Sequence, residues 1–388
     1  MKFTDEGSLK FGVFTGPYHK LGLDPTVALE QDLQLIELLD SLGFHEAWIG
    51  EHHSGGVETI ASPEVFIAAA AERTKHIKLG TGVISLPYHH PFHVADRIVQ
   101  LDHMTRGRVM LGVGPGQLLK DAQMLGIDPS TQRERMEEAL EVILALLRGE
   151  RVTKKTDWFT LDDAYLQFGP YSDFDVAVVA AVSPNGPKTA GRNGAGMISV
   201  AATNPVGIEV LADHWNIVET EAKANGHEAD RSDWRLMGPM HLADTVEQAV
   251  KDTEHGMNWL EEYRAHINPA DDTDYSDHQA FVDLVNSSGS GVVGTPEMAI
   301  AQIERLIEKS GGFGTYLMMG HDWANWPATK RSFELFAEVV MPHFNGKFKI
   351  MKQGYDEVIG SGFTGAQTTA KSQQAARERY EAEKKARG

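Results

Sequence analysis

The chain has 388 residues, of which 41% are hydrophobic and none is cysteine, and its formal net charge is −19. This length suits one large domain or two ordinary ones, and the lack of cysteine excludes disulfides, thiolate metal sites and a cysteine nucleophile. The acidic balance makes nucleic acid and membrane surfaces poor partners. Because we find neither a long apolar run nor a secretory signal, we expect a cytoplasmic protein without a membrane span.

Strand-like and helix-like segments alternate along the chain. The strand candidates are near-continuous apolar runs, as expected in a parallel sheet with both faces buried. They lie at 8–15, 45–50, 77–85, 108–114, 174–182, 196–202, 234–243 and 312–320. Helical spacing predicts helices over 26–42, 63–74, 91–104, 130–148, 185–193, 205–225, from about Val246 onward and over 327–340. This order predicts an α/β fold, a closed (β/α)8 TIM barrel, with an open doubly wound sheet as the alternative.

Two stretches break the alternation. Residues 266–294 are polar and irregular, so we predict an insertion before the eighth strand that could act as a lid over the barrel mouth. We expect the barrel to occupy 1–345 and a C-terminal extension to occupy 346–388. The last part of the extension, from Gln367, carries six Lys or Arg and three Glu without an apolar stripe. It is therefore predicted to be an exposed or frayed helix, or an arm that contacts another subunit.

Chemistry in a TIM barrel lies where strands end and loops begin. The second strand is followed by Glu51, His52 and His53, and an imidazole there can donate or accept a proton near neutral pH. Glycines at several strand ends let the backbone approach a flat ligand. Residues 183–186 open a helix, where free N–H groups favour a phosphate. Together these features predict a phosphorylated planar cofactor in the mouth, with His52 near its reactive edge.

A zinc site is an alternative use of the same histidines, with His89, His90 or His93 as further ligands. The H-E-x-x-H motif of helical zinc sites is absent, and a histidine at a strand end is more often structural than catalytic. Adjacent His52 and His53 would point to opposite sides of a strand, so only one of them can face the mouth. The sequence GVGPG lacks the third glycine of a dinucleotide fingerprint, and no G-x-S-x-G elbow is present.

Residues 46–116 closely resemble the bacterial luciferase-like flavin-dependent monooxygenase family, and the pattern extends over roughly 9–343. The pieces that carry the resemblance are EHH after the second strand, LGTGVISLP at the third, LDHMTRGRVMLGVGPG into the fourth and GTPEMAIAQIERL before the eighth. Their combination is far more specific than any one of them. Within the family the chain looks most like the subgroup of limonene monooxygenases.

The resemblance implies a two-component system in which an NAD(P)H-flavin reductase supplies reduced FMN or FAD, with FMN favoured. Reduced flavin and O2 would then place one oxygen atom on a small apolar organic substrate. Epoxidation is expected for a terpene or another alkene, and lactone formation for a ketone. Since members of the family are usually dimers, the resemblance also implies a homodimer or a higher homo-oligomer.

The resemblance also assigns residues to the cofactor. The family's histidine falls on His52, where it would support oxygen activation, and its non-prolyl cis peptide beneath the flavin ring falls on Gly82-Val83. Its phosphate loop falls on Ser183 to Gly186 and includes Asn185.

The sequence departs from the family at three cofactor positions. Pro115 stands where the luciferases have a phosphate-gripping arginine, Gly114 where they have a cysteine beside the ring, and Val182 where they have an acid. Phosphate binding must therefore use backbone N–H groups, hydroxyls or another basic residue. The substrate pocket is predicted to be lined by Phe14, Trp48 and Met319, whose apolar side chains suit a hydrocarbon.

Two other functions remain open at this point. A deazaflavin (coenzyme F420)-dependent oxidoreductase would use the same fold to move hydride and would ignore oxygen. A flavin-binding luciferase-like subunit without turnover of its own is the third possibility.

Overall fold

The computed structural model describes residues 9–16, 18–267, 275–360 and 365–387. These residues fall into two compact units that divide between Phe344 and Asn345. The first unit contains a barrel of parallel strands, and the second contains two exposed helices, Lys347–Gly360 and Gly365–Arg387. No helix within the described ranges combines the length and the apolar character needed to cross a membrane.

Eight parallel strands form the barrel, and their order in the sheet follows the chain. The strands are β1 Lys10–Thr15, β2 Glu46–Ile49, β3 Lys78–Thr81, β4 Val109–Gly114, β5 Val176–Ala180, β6 Gly196–Ser199, β7 Trp234–Leu242 and β8 Thr315–Gly320. Each strand pairs with its neighbours in this order. The pairing of Lys10 with Thr315 joins β1 to β8 and closes the sheet. The predicted TIM barrel is therefore confirmed, and the open-sheet alternative is wrong.

Helices cover the outside of the barrel, and most begin where the sequence predicts. The α-helices of the first unit are Pro25–Leu42, Pro63–Arg73, Pro91–Thr105, Leu119–Met124, Gln132–Leu147, Asn185–Arg192, Pro205–Glu209, Leu211–Ala224, Val246–Thr253, Met257–Ile267, His278–Ser288, Pro296–Ser310, Trp326–Leu335 and Met341–Asn345. Short 3-10 helices lie at Leu86–Tyr88, Pro129–Thr131 and Arg231–Asp233, and a π-helical turn at Phe336–Val340. A proline in the first turn, which needs no N–H there, begins several of them.

Three small elements lie beside the barrel strands. The short strand Ile84–Ser85 pairs with the end of β4, and Val152–Lys155 forms an antiparallel hairpin with Thr160–Ala164. The strand Val292–Gly294 extends the sheet beside the carboxyl end of β7.

The stretch predicted as an irregular insertion is partly regular. His278–Ser288 is a helix and Val292–Gly294 is a strand, so the irregular prediction for 266–294 is wrong at those residues. Residues 268–274 lie outside the described part of the chain. The helical pattern there escaped prediction because it is short and is flanked on both sides by polar and glycine-rich sequence, NPADDTDYSD before it and GSG after it.

The helices Val246–Thr253, Met257–Ile267 and His278–Ser288, which we call the cap, build a small core of their own. Its centre holds Met257, Leu260 and Phe281, which pack with Val57 of the loop after β2 and Trp323 of the loop after β8. Those two loops leave the carboxyl ends of their strands. The cap therefore packs on the mouth side of the barrel.

The barrel interior is filled, as in other closed barrels of this size. At the amino-terminal end, Arg235 makes a bidentate ion pair with Glu46, with N–O distances of 2.8 and 3.1 Å, and also binds Asp175 at 2.7 Å. Above this network, Trp48 lies with Met237 and other apolar side chains in an inner cluster. The open, chemically accessible part of the barrel is therefore its carboxyl-terminal end.

Candidate active site

The three residues predicted to line the substrate pocket lie side by side. Phe14 pairs with Met319 of β8 on one side and with Trp48 of β2 on the other. Phe14 is half-buried and faces the mouth, while Met319 is almost fully buried. Trp48 is fully buried, and its indole N–H donates to Glu46 at 2.9 Å, toward the closed end. Phe14 is thus the member of this trio best placed to meet a ligand.

An apolar rim surrounds the inner strand ends. Val83, Val179, Val200 and Pro239 are half-buried at the ends of β3, β5, β6 and β7, as Phe14 is at the end of β1. Half-buried apolar surface at a barrel mouth is suited to cover a flat, apolar ring.

The predicted cis peptide position lies on this rim, where the Gly82-Val83 bond is cis. A Cβ atom on Gly114 would lie 2.7 Å from Cγ2 of Val83 and 3.0 Å from Cγ1 of Val179. Glycine at 114 therefore lets the Val83 side chain lie against the end of β4. The carbonyl of Pro115 accepts a hydrogen bond from Gln132 at 2.7 Å, which fixes the loop that follows.

The predicted phosphate loop leads into the helix Asn185–Arg192. Ser183 is exposed and Asn185 is half-buried. A Cβ atom on Gly186 would lie 2.8 Å from the carbonyl oxygen of Val179, so this glycine lets the helix start directly against β5. The helix amino terminus is thus held at the rim, where its N–H groups and dipole favour an anion. A half-buried lysine, Lys188, lies in its first turn.

His52 lies between two carboxyl groups. Its Nδ1 atom is 3.2 Å from Oδ2 of Asp121, and its Nε2 atom is 3.4 Å from Oε2 of Glu58. His53 points elsewhere, with Nε2 at 3.0 Å from Oε1 of Glu51. The two adjacent imidazoles therefore have different surroundings, and His52 is the one that lies between Asp121 and Glu58.

Glu51 ties together the loops after β2 and β3. Its Oε1 atom is 2.5 Å from Nε2 of His89 and also contacts His53, while Oε2 accepts the N–H of Ser85 at 2.6 Å. Burial raises the pKa of Glu51, but these hydrogen bonds outweigh burial and lower the pKa to about 2. The pKa of His53 is raised in turn by its hydrogen bond to Glu51. The Glu51 carboxylate therefore holds the two loops together. Among the described residues, no group of three His, Cys, Asp or Glu is arranged to hold a metal ion.

Sequence reasoning missed Glu58, which lies beside the end of β1. A Cβ atom on Gly16 would lie 2.9 Å from its Oε2 atom. Burial raises the pKa of Glu58 to about 7, with Asp121 acting in the same direction, while His52 and Arg264 oppose the rise. A carboxyl group with a pKa near 7 can hold or release a proton at physiological pH.

Sequence reasoning also missed the residues of the cap that lie near Glu58. Arg264 of the cap pairs with Glu261 at 3.1 Å, and 36% of its side chain remains exposed. The Tyr263 hydroxyl lies over Gly55 in the loop after β2. Tyr18, in the loop after β1, lies near the same carboxyl: burial raises the pKa of Tyr18, and Glu58 raises it further. No local pattern marks these residues, because their contacts cross long sequence distances.

The residues of the mouth fit a phosphorylated flavin. The apolar rim can cover one face of an isoalloxazine ring, the helix start at Asn185 can hold a phosphate, and the His52 cluster can handle protons. This combination of surfaces suits a flavin better than an unphosphorylated apolar ligand, which would leave the helix terminus unused.

The chain is similar to known proteins in sequence and in fold. A sequence model described as luciferase-like monooxygenase matches residues 9–312. The limonene 1,2-monooxygenase of Rhodococcus erythropolis is 54% identical over 384 residues, which cover 98% of each chain. The 4-hydroxyprotoasukamycin monooxygenase of Streptomyces nodosus subsp. asukaensis is 46% identical, over 89% of this chain and 95% of its own. In three dimensions, the oxygenating constituent of 3,6-diketocamphane monooxygenase from Pseudomonas putida, solved with FMN, has a TM-score of 0.71 at 24% identity, over 86% of this chain and 98% of that one.

Proposed function

The chain belongs to the luciferase-like monooxygenase family, and from this premise we propose that it is the oxygenase component of a two-component enzyme that epoxidises a small cyclic alkene. It is a flavin-dependent monooxygenase of apolar substrates. The finer proposal rests on the apolar rim around Phe14 together with the proton-handling cluster at His52. A monocyclic terpene such as limonene matches both the hydrocarbon character of the rim and the substrate named for the 54% identical relative.

The bound flavin would supply two electrons: its reduced anion, O2, the alkene and one proton give oxidised flavin, the epoxide and water. The chain's own residues must then hold the ring, exclude bulk water and provide that proton. Phe14, Val83 and Val179 would pack against the ring and the alkene. His52 and its carboxyl partners would provide the proton.

We propose FMN as the flavin. Ser183, Asn185 and Gly186 would offer hydroxyl and backbone N–H donors to its phosphate, at the amino terminus of the helix Asn185–Arg192. Lys188 would supply the positive charge that Pro115 does not. Gly82, Val83 and Gly114 would lie beneath the ring, where Val83 and the glycine backbone leave room for a flat ligand.

A separate NAD(P)H-dependent flavin reductase would deliver the reduced flavin, through transient contact or by diffusion. We further propose that the protein works in the cytoplasm as a homodimer or higher homo-oligomer, and light scattering on the purified protein measures the oligomeric state directly. The barrel is proposed to be one functional domain, and the extension beyond residue 345 a separate one. We also propose that part of 266–294 acts as a lid over the barrel mouth.

The test combines the purified chain with a generic flavin reductase, NADH and FMN, and offers limonene or a bicyclic ketone under isotopically labelled O2. The expected product is the limonene epoxide with one labelled oxygen atom. Replacement His52→Ala should abolish product formation while reduced FMN still binds.

The alternatives give different outcomes in the same assay. Substrate-dependent turnover with reduced deazaflavin and without O2 uptake would support hydride transfer. Flavin binding with no product from any substrate, and no effect of His52→Ala, would support a silent subunit. Lactone formation from the ketone in place of epoxide formation would overturn the alkene assignment but not the monooxygenase.

A further inference from the structure

Both ring nitrogens of His52 are already occupied by protein groups. Nδ1 lies 3.2 Å from Asp121 and Nε2 lies 3.4 Å from Glu58. A ligand that bound to either nitrogen would have to displace one of these contacts. A residue at one end of this series of contacts is therefore better placed to meet the reacting atoms.

The hydrogen-bond partners of Asp121 decide which ring nitrogen of His52 carries a hydrogen. Its Oδ1 atom accepts a hydrogen bond from the Ser54 hydroxyl, and its Oδ2 atom faces Nδ1 of His52. Because both oxygens act as acceptors, Nδ1 of His52 carries the hydrogen that is donated to Asp121. The Nε2 atom, 3.4 Å from Oε2 of Glu58, is then the position through which a proton can pass between the imidazole and that carboxyl.

Within the series of contacts that joins Asp121, His52 and Glu58, Glu58 is the member that lies toward the mouth. Its carboxyl is next to Gly16 at the end of β1, and only 6% of its side chain is exposed. Several charged and titratable groups face it. They are His52 from the loop after β2, Asp121 from the helix Leu119–Met124, Arg264 and Tyr263 from the cap, and Tyr18 from the loop after β1.

We propose that Glu58 is the acid of this site: its carboxyl gives the proton to the oxygen atom that leaves as water. His52, which is held by Asp121 and is 18% exposed, then takes up a proton from solvent and passes it from Nε2 to the Glu58 carboxylate. This inference rests on the proposed monooxygenase function and adds a catalytic residue to it. Glu58 is the catalytic residue in this scheme, whereas His52 and Asp121 are positioning residues that act through it. Ser54, a half-buried residue of the loop after β2, donates its hydroxyl hydrogen bond to Asp121.

The protonation of Glu58 fits this task. Burial raises its pKa to about 7, so that the carboxyl holds a proton in a large fraction of molecules at neutral pH. Since the acid form is the active one, oxygen transfer should fall as the pH rises through about 7.

The first test needs no cofactor. Infrared difference spectra of the apoprotein, labelled with carbon-13 glutamate, should show a protonated carboxyl band that disappears as the pH rises through about 7. The band should be absent in Glu58→Gln and should persist in Glu262→Gln, which changes an exposed glutamate on the cap helix that carries Arg264. A band that survives in Glu58→Gln would overturn the assignment.

The second test uses the complete system with reductase, FMN and the best substrate. Glu58→Gln should bind reduced FMN as the wild type does, form product about 100-fold more slowly, and lose the alkaline limb of the pH profile. The flavin should instead reoxidise with release of hydrogen peroxide. Glu58→Asp should restore part of the product yield together with the pH limb, which a merely structural role would not do.

The two possible failures can be separated. If the wild type oxygenates its substrate and Glu58→Gln matches it in coupling and in pH profile, the relay is refuted and the monooxygenase stands. If the wild type binds reduced FMN but oxygenates no alkene or ketone, the proposed function fails and the role of Glu58 falls with it.

Discussion

The indole ring of Trp48 occupies the space that a side chain on Gly80 would need. A Cβ atom built on Gly80 would lie 2.5 Å from Cε3 of Trp48, and one on Gly112 would lie 3.0 Å from the same ring. Two adjacent strands therefore carry glycine where the β2 tryptophan crosses them, and at Gly112 the carbonyl oxygen of Thr81 also leaves no room for a Cβ atom. The barrel core is sealed on this side by one large ring rather than by several branched side chains.

We expect Gly80→Ala to destabilise the barrel by about 1–3 kcal/mol, since the added methyl must displace a ring that is fully buried. Urea unfolding followed by tryptophan fluorescence measures the change. Gly169→Ala is the matched control, because a Cβ atom there meets no neighbour within 4 Å. In a Trp48→Leu background the cost of Gly80→Ala should shrink, and an equal cost in both backgrounds would contradict the steric explanation.

The ion pair at the closed end of the barrel should matter for stability and not for catalysis. Glu46 and Arg235 are each 2% exposed, so Arg235→Met leaves a buried carboxylate without its cation, and we expect a loss of about 3–5 kcal/mol. Arg331→Met, at an exposed ion pair, should cost less than about 1 kcal/mol. Denaturant unfolding gives both values. A changed affinity for reduced FMN in folded Arg235→Met would argue against this separation of roles.

Much of the fold could be predicted from the sequence because it depends on local patterns. Eight apolar runs with helical segments between them give the strand order, and the first-turn prolines at Pro63 and Pro91 give helix starts close to those observed. The third strand is the instructive exception. Its apolar run at 77–85 is continuous, but the cis Gly82-Val83 bond divides it into Lys78–Thr81 and Ile84–Ser85.

The site could be predicted only in part, for a physical reason. His52 and the start of the helix at Asn185 have local signals, namely a polar cluster after a strand and turn residues before a helix. Asp121 and Arg264 have none, since each reaches the mouth from a distant segment through tertiary contacts. Trp48 shows the same limit. Its position near a strand end could be predicted, but the orientation of its indole toward the amino-terminal end of the barrel depends on the hydrogen bond to Glu46.

Glu51 should make stability depend on pH in the acid range. Its pKa of about 2 in the folded protein lies below the ordinary glutamate value of 4.5, so Glu51 stabilises the fold above pH 4.5, and that contribution is lost as the pH falls toward 2. Glu51→Gln should therefore cost about 3 kcal/mol at neutral pH, and the difference from the wild type should narrow on acidification. Unfolding curves across this range test the sign. A difference that stays constant with pH would contradict it, and Glu37→Gln, at an exposed position, provides the control.

The same substitution should also lower the pKa of His53, because the hydrogen bond to Glu51 is what raises it. The stabilisation of the fold by the His53–Glu51 hydrogen bond is complete below the ordinary histidine pKa of about 6.5. It is lost as the pH rises through the raised pKa of His53. NMR titration of the His53 ring in the wild type and in Glu51→Gln measures the shift directly. An unchanged His53 titration would show that another group controls this imidazole.

The phosphate of FMN should account for the residues after β5. Removal of one hydroxyl donor and one cation in the double variant Ser183→Ala/Lys188→Gln should weaken reduced FMN binding by about tenfold or more, because each lost contact is worth about 1 kcal/mol. Reduced riboflavin, which has the same ring and no phosphate, should bind the variant and the wild type equally. Anaerobic fluorescence titration gives both constants, and Lys223→Gln on an exposed helix face is the control for loss of charge. Equal weakening of both flavins would mean that these residues shape the ring site, and the phosphate would have to be bound elsewhere on the rim.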